Sequence, residues 1–164
     1  MEMILKGYME VIEKGQESFR EIIGEFLEAS NYAGIAFGNA GCAAVHAMSY
    51  PLGGVYHVPH GEANYQFFVE VFKYYKMKQP VGKIEQIENL FASILGCDKE
   101  QAFDELGNLL NNLLSLKPLR EYGMKEEEIE GFADSVLVSQ QRLLGNNYVP
   151  FSREDLVTIY SNLY

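Results

Sequence analysis

Apolar residues recur along this chain at three- and four-residue intervals, the spacing of one face of a helix. Residues 2–14 place Ile4, Tyr8, Val11 and Ile12 on one stripe, and Gly15 interrupts it. Residues 17–28 repeat the pattern with Phe19, Ile22, Ile23, Phe26 and Leu27. Ser30 and Asn31 offer caps for a third helix, expected over residues 31–50. Pro51 should end it, because the residue before a proline disfavours helical geometry. A loop over residues 51–58 with Gly53 and Gly54 is expected next, then a helix opening at Pro59. That helix carries Phe67, Phe68, Val71, Phe72 and Tyr75 until Gln79-Pro80 breaks it. Further stripes occupy residues 82–95, closed by Gly96, then 99–115 and 125–143. Residues 118–123 read as a loop and the GNNYVP segment at 145–150 as a turn. Ser152 with Asp155 resembles a capping box and opens a last helix through Leu156, Ile159, Tyr160 and Leu163. No segment alternates as a strand does. The pattern predicts an all-α fold, a multi-helix bundle of about seven or eight helices forming a single helical domain over residues 1–164.

Composition narrows the function classes. With 48% hydrophobic residues the chain can build a core, and its net charge of −10 argues against nucleic acid and anionic membranes. No apolar run is long enough to span a bilayer, and the N-terminus lacks the pattern of a signal peptide. The two cysteines, Cys42 and Cys97, make no disulfide framework and suit a reduced, cytoplasmic setting. Cys42, among glycine and alanine, reads as filler rather than nucleophile.

The chemistry concentrates in residues 33–64, which hold all three histidines, His46, His57 and His60. The expected helices put His46 near one helix C-terminus and His60 in the first turn of the next, so the two imidazoles can converge, with His57 reaching the same region from the loop. Neutral imidazole is a ready ligand for zinc or ferrous iron. A single helical histidine is more ordinarily a hydrogen-bonded or surface group. The glycine and alanine richness of residues 31–50 is expected of a helix buried at the centre of a bundle.

The wording AFGNAGCAAVHAMSYPLGGVYHVPHGEAN resembles the signature of the iron-containing alcohol dehydrogenases, of form GxxxxHxxxHxLGxxxxxPHGxxN. The closing NNYVPFSREDLVTIYSNLY resembles that family's last segment, and YPLGGVYHVPHG is most like its 4-hydroxybutyrate dehydrogenase branch. The resemblance implies a helical domain that follows a nucleotide-binding domain. It implies His46 and His60 as ligands of a divalent metal, iron or zinc, and NAD or NADP as hydride acceptor. Tyr50 stands where the family usually has a histidine near the nicotinamide, so Tyr50 and His57 are expected to line the active-site cleft. The family's remaining ligands, in a DxxxH arrangement, lie upstream of anything in this chain. The missing N-terminal nucleotide-binding domain is therefore the expected partner, beside a small alcohol or hydroxy acid, and the chain alone should be inactive. Arg142 is the candidate anchor for a substrate carboxylate, against the plainer reading of a surface arginine at a helix end. The competing reading is a non-catalytic helical module that binds metal or a protein partner. The choice of metal, NAD against NADP and homo-oligomerisation stay open.

Overall fold

The structure is a computed structural model that describes residues 1–164. It is all-α, with nine α-helices and four short 3-10 turns and no strand. The helices are α1 (Glu2–Lys14), α2 (Phe19–Ala40), α3 (Ala44–Tyr56), α4 (His60–Lys78), α5 (Lys83–Leu95), α6 (Ala102–Asn111), α7 (Ile129–Ser139), α8 (Gln141–Leu144) and α9 (Arg153–Leu163). They pack as two compact units.

The first unit, Met1–Ala40 with Glu85–Ser115, holds α1, α2, α5 and α6. Its buried side chains include Leu5, Ile22, Phe91, Phe103 and Leu106, with Phe91 edge-on to Phe103. The absence of a side chain at Gly7 admits the Phe26 ring, which would stand 2.7 Å from an added Cβ. Residues 31–40 of α2 are solvent-exposed at all positions but Gly34. Tyr32, Ile35 and Phe37 there keep 55%, 57% and 58% of their surface exposed. This differs from the central, buried helix expected of residues 31–50. The reason is Gly41. Its φ of 77° lies in the left-handed region, which ends α2 and cuts the small-residue stretch in two. Ser30 and Asn31 consequently fall inside α2 rather than capping a new helix. Little tertiary packing supports residues 31–40, so their amides should exchange with solvent far faster than those of α3, and chymotrypsin should cut first at Tyr32 or Phe37. Exchange measured by mass spectrometry checks this; equal protection in the two segments would refute it.

The second unit, Gly41–Ile84 with Leu116–Tyr164, holds α3, α4, α7, α8 and α9. Met48, Leu52, Phe67, Val71, Leu119, Val136, Leu156, Ile159 and Tyr160 form its core, each at most 1% exposed. α3 packs against α4, α7 and α8, and α9 against α4 and α7. Pro51 does not stop α3, which continues to Tyr56 with Gly53 and Gly54 inside it. Proline in a helix interior leaves the carbonyl four residues earlier without its N–H. Burial of Met48 and Leu52 on either side overrides the local preference, and the Tyr160 hydroxyl donates to the Met48 carbonyl at 2.7 Å in the same turn. His57 caps α3 in the left-handed conformation at φ 55°, the one positive φ outside glycine. Pro59, at φ −53° and ψ 138°, is the N-cap of α4, which opens one residue later than expected. The stripe at 125–143 divides into a 3-10 turn, α7 and α8, and the stripe at 99–115 into a 3-10 turn and α6. At α9 the expected capping box forms: Asp155 N–H donates to Ser152 Oγ at 3.2 Å, and Ser152 N–H to Asp155 Oδ2 at 2.7 Å.

Candidate functional site

Because α3 starts at Ala44, His46 lies in its first turn, not near a helix C-terminus as the sequence pattern suggested. His60 is the first residue of α4. The two helix starts bring the imidazoles together, with ring centroids 5.3 Å apart and planes 56° to each other. With metal–nitrogen bonds of about 2.0–2.1 Å and a tetrahedral angle, two imidazoles sharing one ion hold their centroids about 5 Å apart. The pair therefore fits two ligands of one metal. Burial, and then the positive charge that His60 can carry, hold the His46 pKa below the usual histidine range. His46 is thus held in the neutral form that coordinates metal. No group of three or more His, Cys, Asp or Glu side chains is placed to hold an ion, so the histidine pair has no third such donor beside it.

A polar chain joins the two helices beneath the rings. Asn64, one turn beyond His60, places its amide nitrogen 2.9 Å from His60 Nε2. Ser49 Oγ lies 2.7 Å from Asn64 Oδ1 and 3.0 Å from the His46 carbonyl. Ser49 is 1% exposed, so these partners are what satisfies its hydroxyl. A cation shared with His46 would take either His60 Nδ1 or Nε2 in place of Asn64.

Tyr50, one turn after His46, stacks on His60 with centroids 6.2 Å apart and an interplanar angle of 28°, and it is 41% exposed. His46, His60 and Tyr50 thus form one cluster. His57 is exposed at the other end of α3, about 16 Å of helix rise from His46, and makes no ring contact with either histidine. Arg142 lies on α8, which packs on α3; its side chain is exposed and makes no ion pair. The other three arginines are engaged: Arg20 with Glu17, Arg120 with the Tyr164 carbonyl, Arg153 with Asp134 and Glu130. Cys42 is half-buried next to Gly41.

Sequence reasoning missed four residues that build this site: Ser49, Asn64, Asn146 and Asn147. Ser49 and Asn64 follow His46 and His60 by three and four residues, the helical spacing that puts side chains on one face. That spacing was the available signal. Asn146 and Asn147 lie more than 100 residues from their partners in α3 and its preceding turn, and no local pattern points to them.

An all-helical fold carrying this histidine pair agrees with the family comparison. The model of the iron-containing alcohol dehydrogenase family, C-terminal region, matches residues 1–164, and the chain belongs to that family. Among curated relatives, the 4-hydroxybutyrate dehydrogenase of Clostridium kluyveri is 65% identical over 164 residues, which is all of this chain and 44% of the relative. The long-chain-alcohol dehydrogenase 1 of Geobacillus thermodenitrificans is 29% identical over 96% of this chain and 40% of that protein. The chain thus spans less than half the length of these relatives. Among solved structures, the archaeal halo-thermophilic Red Sea brine pool alcohol dehydrogenase shares the fold with a TM-score of 0.81 and 23% identity, over 99% of this chain and 44% of the other. No helix is long and apolar enough to cross a membrane.

Proposed function

We propose that this chain is the metal-binding helical part of an alcohol dehydrogenase dependent on NAD or NADP, acting on 4-hydroxybutyrate or a close hydroxy acid in the cytoplasm. The observation that carries the reading is the His46–His60 pair at 5.3 Å, set within a chain 65% identical to a 4-hydroxybutyrate dehydrogenase. When bound, a divalent metal, iron or zinc, supplies Lewis-acid polarisation of a substrate oxygen, and the nicotinamide accepts hydride. His46 and His60 hold that metal together with residues outside this chain, and a nucleotide-binding domain outside it holds the cofactor. The single helical domain of residues 1–164 is therefore inactive alone. Tyr50, stacked on His60 and still partly exposed, presents its phenol at the cleft, where it hydrogen-bonds the substrate. His57 lines the outer part of the same cleft. Arg142, exposed and in no ion pair, is free to grip a carboxylate with two parallel hydrogen bonds.

The test joins this chain to the part of the Clostridium kluyveri relative that lies outside the matched 44%. The chimera should oxidise 4-hydroxybutyrate with NAD or NADP, whereas the 164-residue chain alone should not. His46→Ala or His60→Ala should remove bound metal and activity together. Tyr50→Phe should lower turnover at unchanged metal content. Arg142→Leu should reduce the preference for 4-hydroxybutyrate over butanol by about tenfold or more, the scale of a lost bidentate ion pair. A folded chimera that keeps stoichiometric metal with both histidines replaced refutes the proposal.

A further inference from the structure

α3 begins without a capping side chain of its own. Its N-cap is Ala43, which has no side-chain oxygen, yet its first turn carries His46. The first N–H groups of a helix need acceptors from elsewhere. Here the acceptor comes from 103 residues further along the chain, in the turn between α8 and α9. Asn147 Oδ1 accepts from the Ala44 N–H at 2.7 Å and from the Tyr75 hydroxyl at 2.9 Å. A backbone N–H can only donate, so the amide oxygen must be the atom facing Ala44. Burial pushes the Tyr75 phenol up, which keeps it a donor as well. The neighbouring Asn146 donates from Nδ2 to the Cys42 carbonyl at 3.0 Å. Asn146 also fills the space beside Gly41, where an added Cβ would stand 2.5 Å from Nδ2. Two adjacent asparagines in the turn between α8 and α9 therefore pin the break between α2 and α3 from both sides.

We infer that Asn147 is a positioning residue: by capping α3 from a distance it fixes the turn that aims His46 at His60. Its amide nitrogen is buried and has no hydrogen-bond partner. The function of the side chain therefore lies in its oxygen alone. An aspartate places an oxygen at the same point and adds a negative charge beside a helix N-terminus, where it is favoured. Asparagine and aspartate should thus be interchangeable here, while alanine and leucine should not. The chemical use of the aimed pair rests on the function proposed above; the aiming itself does not.

The experiment follows the 164-residue chain by NMR without added metal, reading the exchange rate of the Ala44 amide and cross-relaxation between the His46 and His60 ring protons. Asn147→Ala should speed Ala44 exchange about tenfold, the scale of one lost helix cap, and abolish the ring cross-peaks. Asn147→Asp should keep both signals. Phe91→Leu, a core change in the first unit, controls for general destabilisation and should also keep both. Loss of both signals in Asn147→Asp overturns the inference, as does their survival in Asn147→Ala or their loss in Phe91→Leu. Should the alanine variant not fold, the aspartate variant decides by itself. The measurement uses no metal, so failure of the metal reading, seen in the chimera, leaves this result standing, and the reverse also holds.

Discussion

Replacing Tyr160 by alanine should destabilise the second unit by about 3–5 kcal/mol, the range for removing a large buried aromatic side chain. Tyr160 is fully buried, the largest such side chain in the molecule. Its ring stands edge-on to Phe67 at 5.3 Å and to Phe132 at 6.0 Å, so it joins α9 to α4 and α7. Its hydroxyl adds a second role by donating to the Met48 carbonyl in the turn of α3 that Pro51 disturbs. The two roles separate by substitution. Tyr160→Phe keeps the ring and removes only this added hydrogen bond, since the Leu52 N–H of the helix still faces the Met48 carbonyl, and it should cost about 0.5–1.5 kcal/mol. Chemical denaturation of the three proteins measures both differences. Met48 lies two residues from His46, so Tyr160→Phe should also loosen the turn that carries the histidine. A Tyr160→Phe variant as stable as the parent would show that α3 accommodates its proline without this bond.

Where local signals and tertiary packing agree, the sequence was a good guide. α5 appears within a residue of its expected bounds, since its apolar face and its closing Gly96, at φ 69°, are both local features. The capping box at Ser152 and Asp155 is local too. At Pro51 they disagree: the residue-before-proline rule is a preference, and the burial of Met48 and Leu52 outweighs it. Gly41 misled for a related reason. Glycine occurs six times between residues 33 and 64, and nothing in the pattern distinguishes the one that takes a left-handed turn. The asparagine facing it comes from Asn146, 104 residues away from Cys42 along the chain. The histidine pair was legible because the motif holds both members within fifteen residues, His46 through His60. Its supports were less so, because Ser49 and Asn64 look like ordinary helix polar residues until the helices cross.

Asp155 illustrates the same division between local and distant partners. Locally it closes the capping box of α9. It also pairs with Lys78 and accepts from the Tyr74 hydroxyl at 3.0 Å, both on α4 and about eighty residues earlier. Only 9% of the residue remains exposed. Burial pushes its carboxyl pKa up, but Lys78, the Ser152 N–H and the Tyr74 hydroxyl together outweigh burial and hold it below the usual aspartate value. A carboxyl whose folded pKa is depressed stabilises the fold above its unfolded pKa, near 3.8, and that contribution is lost as pH falls through the folded pKa. Asp155→Ala should therefore cost about 2–4 kcal/mol at pH 7, since it breaks a largely buried ion pair and an N-terminal cap at once. The cost should stay constant down to about pH 5 and shrink once the wild-type carboxyl protonates, below the ordinary aspartate range. Urea denaturation of both proteins between pH 7 and pH 3 follows the difference. A cost that does not change across that range would mean that Asp155 holds α9 on α4 by shape and neutral hydrogen bonds, and that its charge contributes nothing.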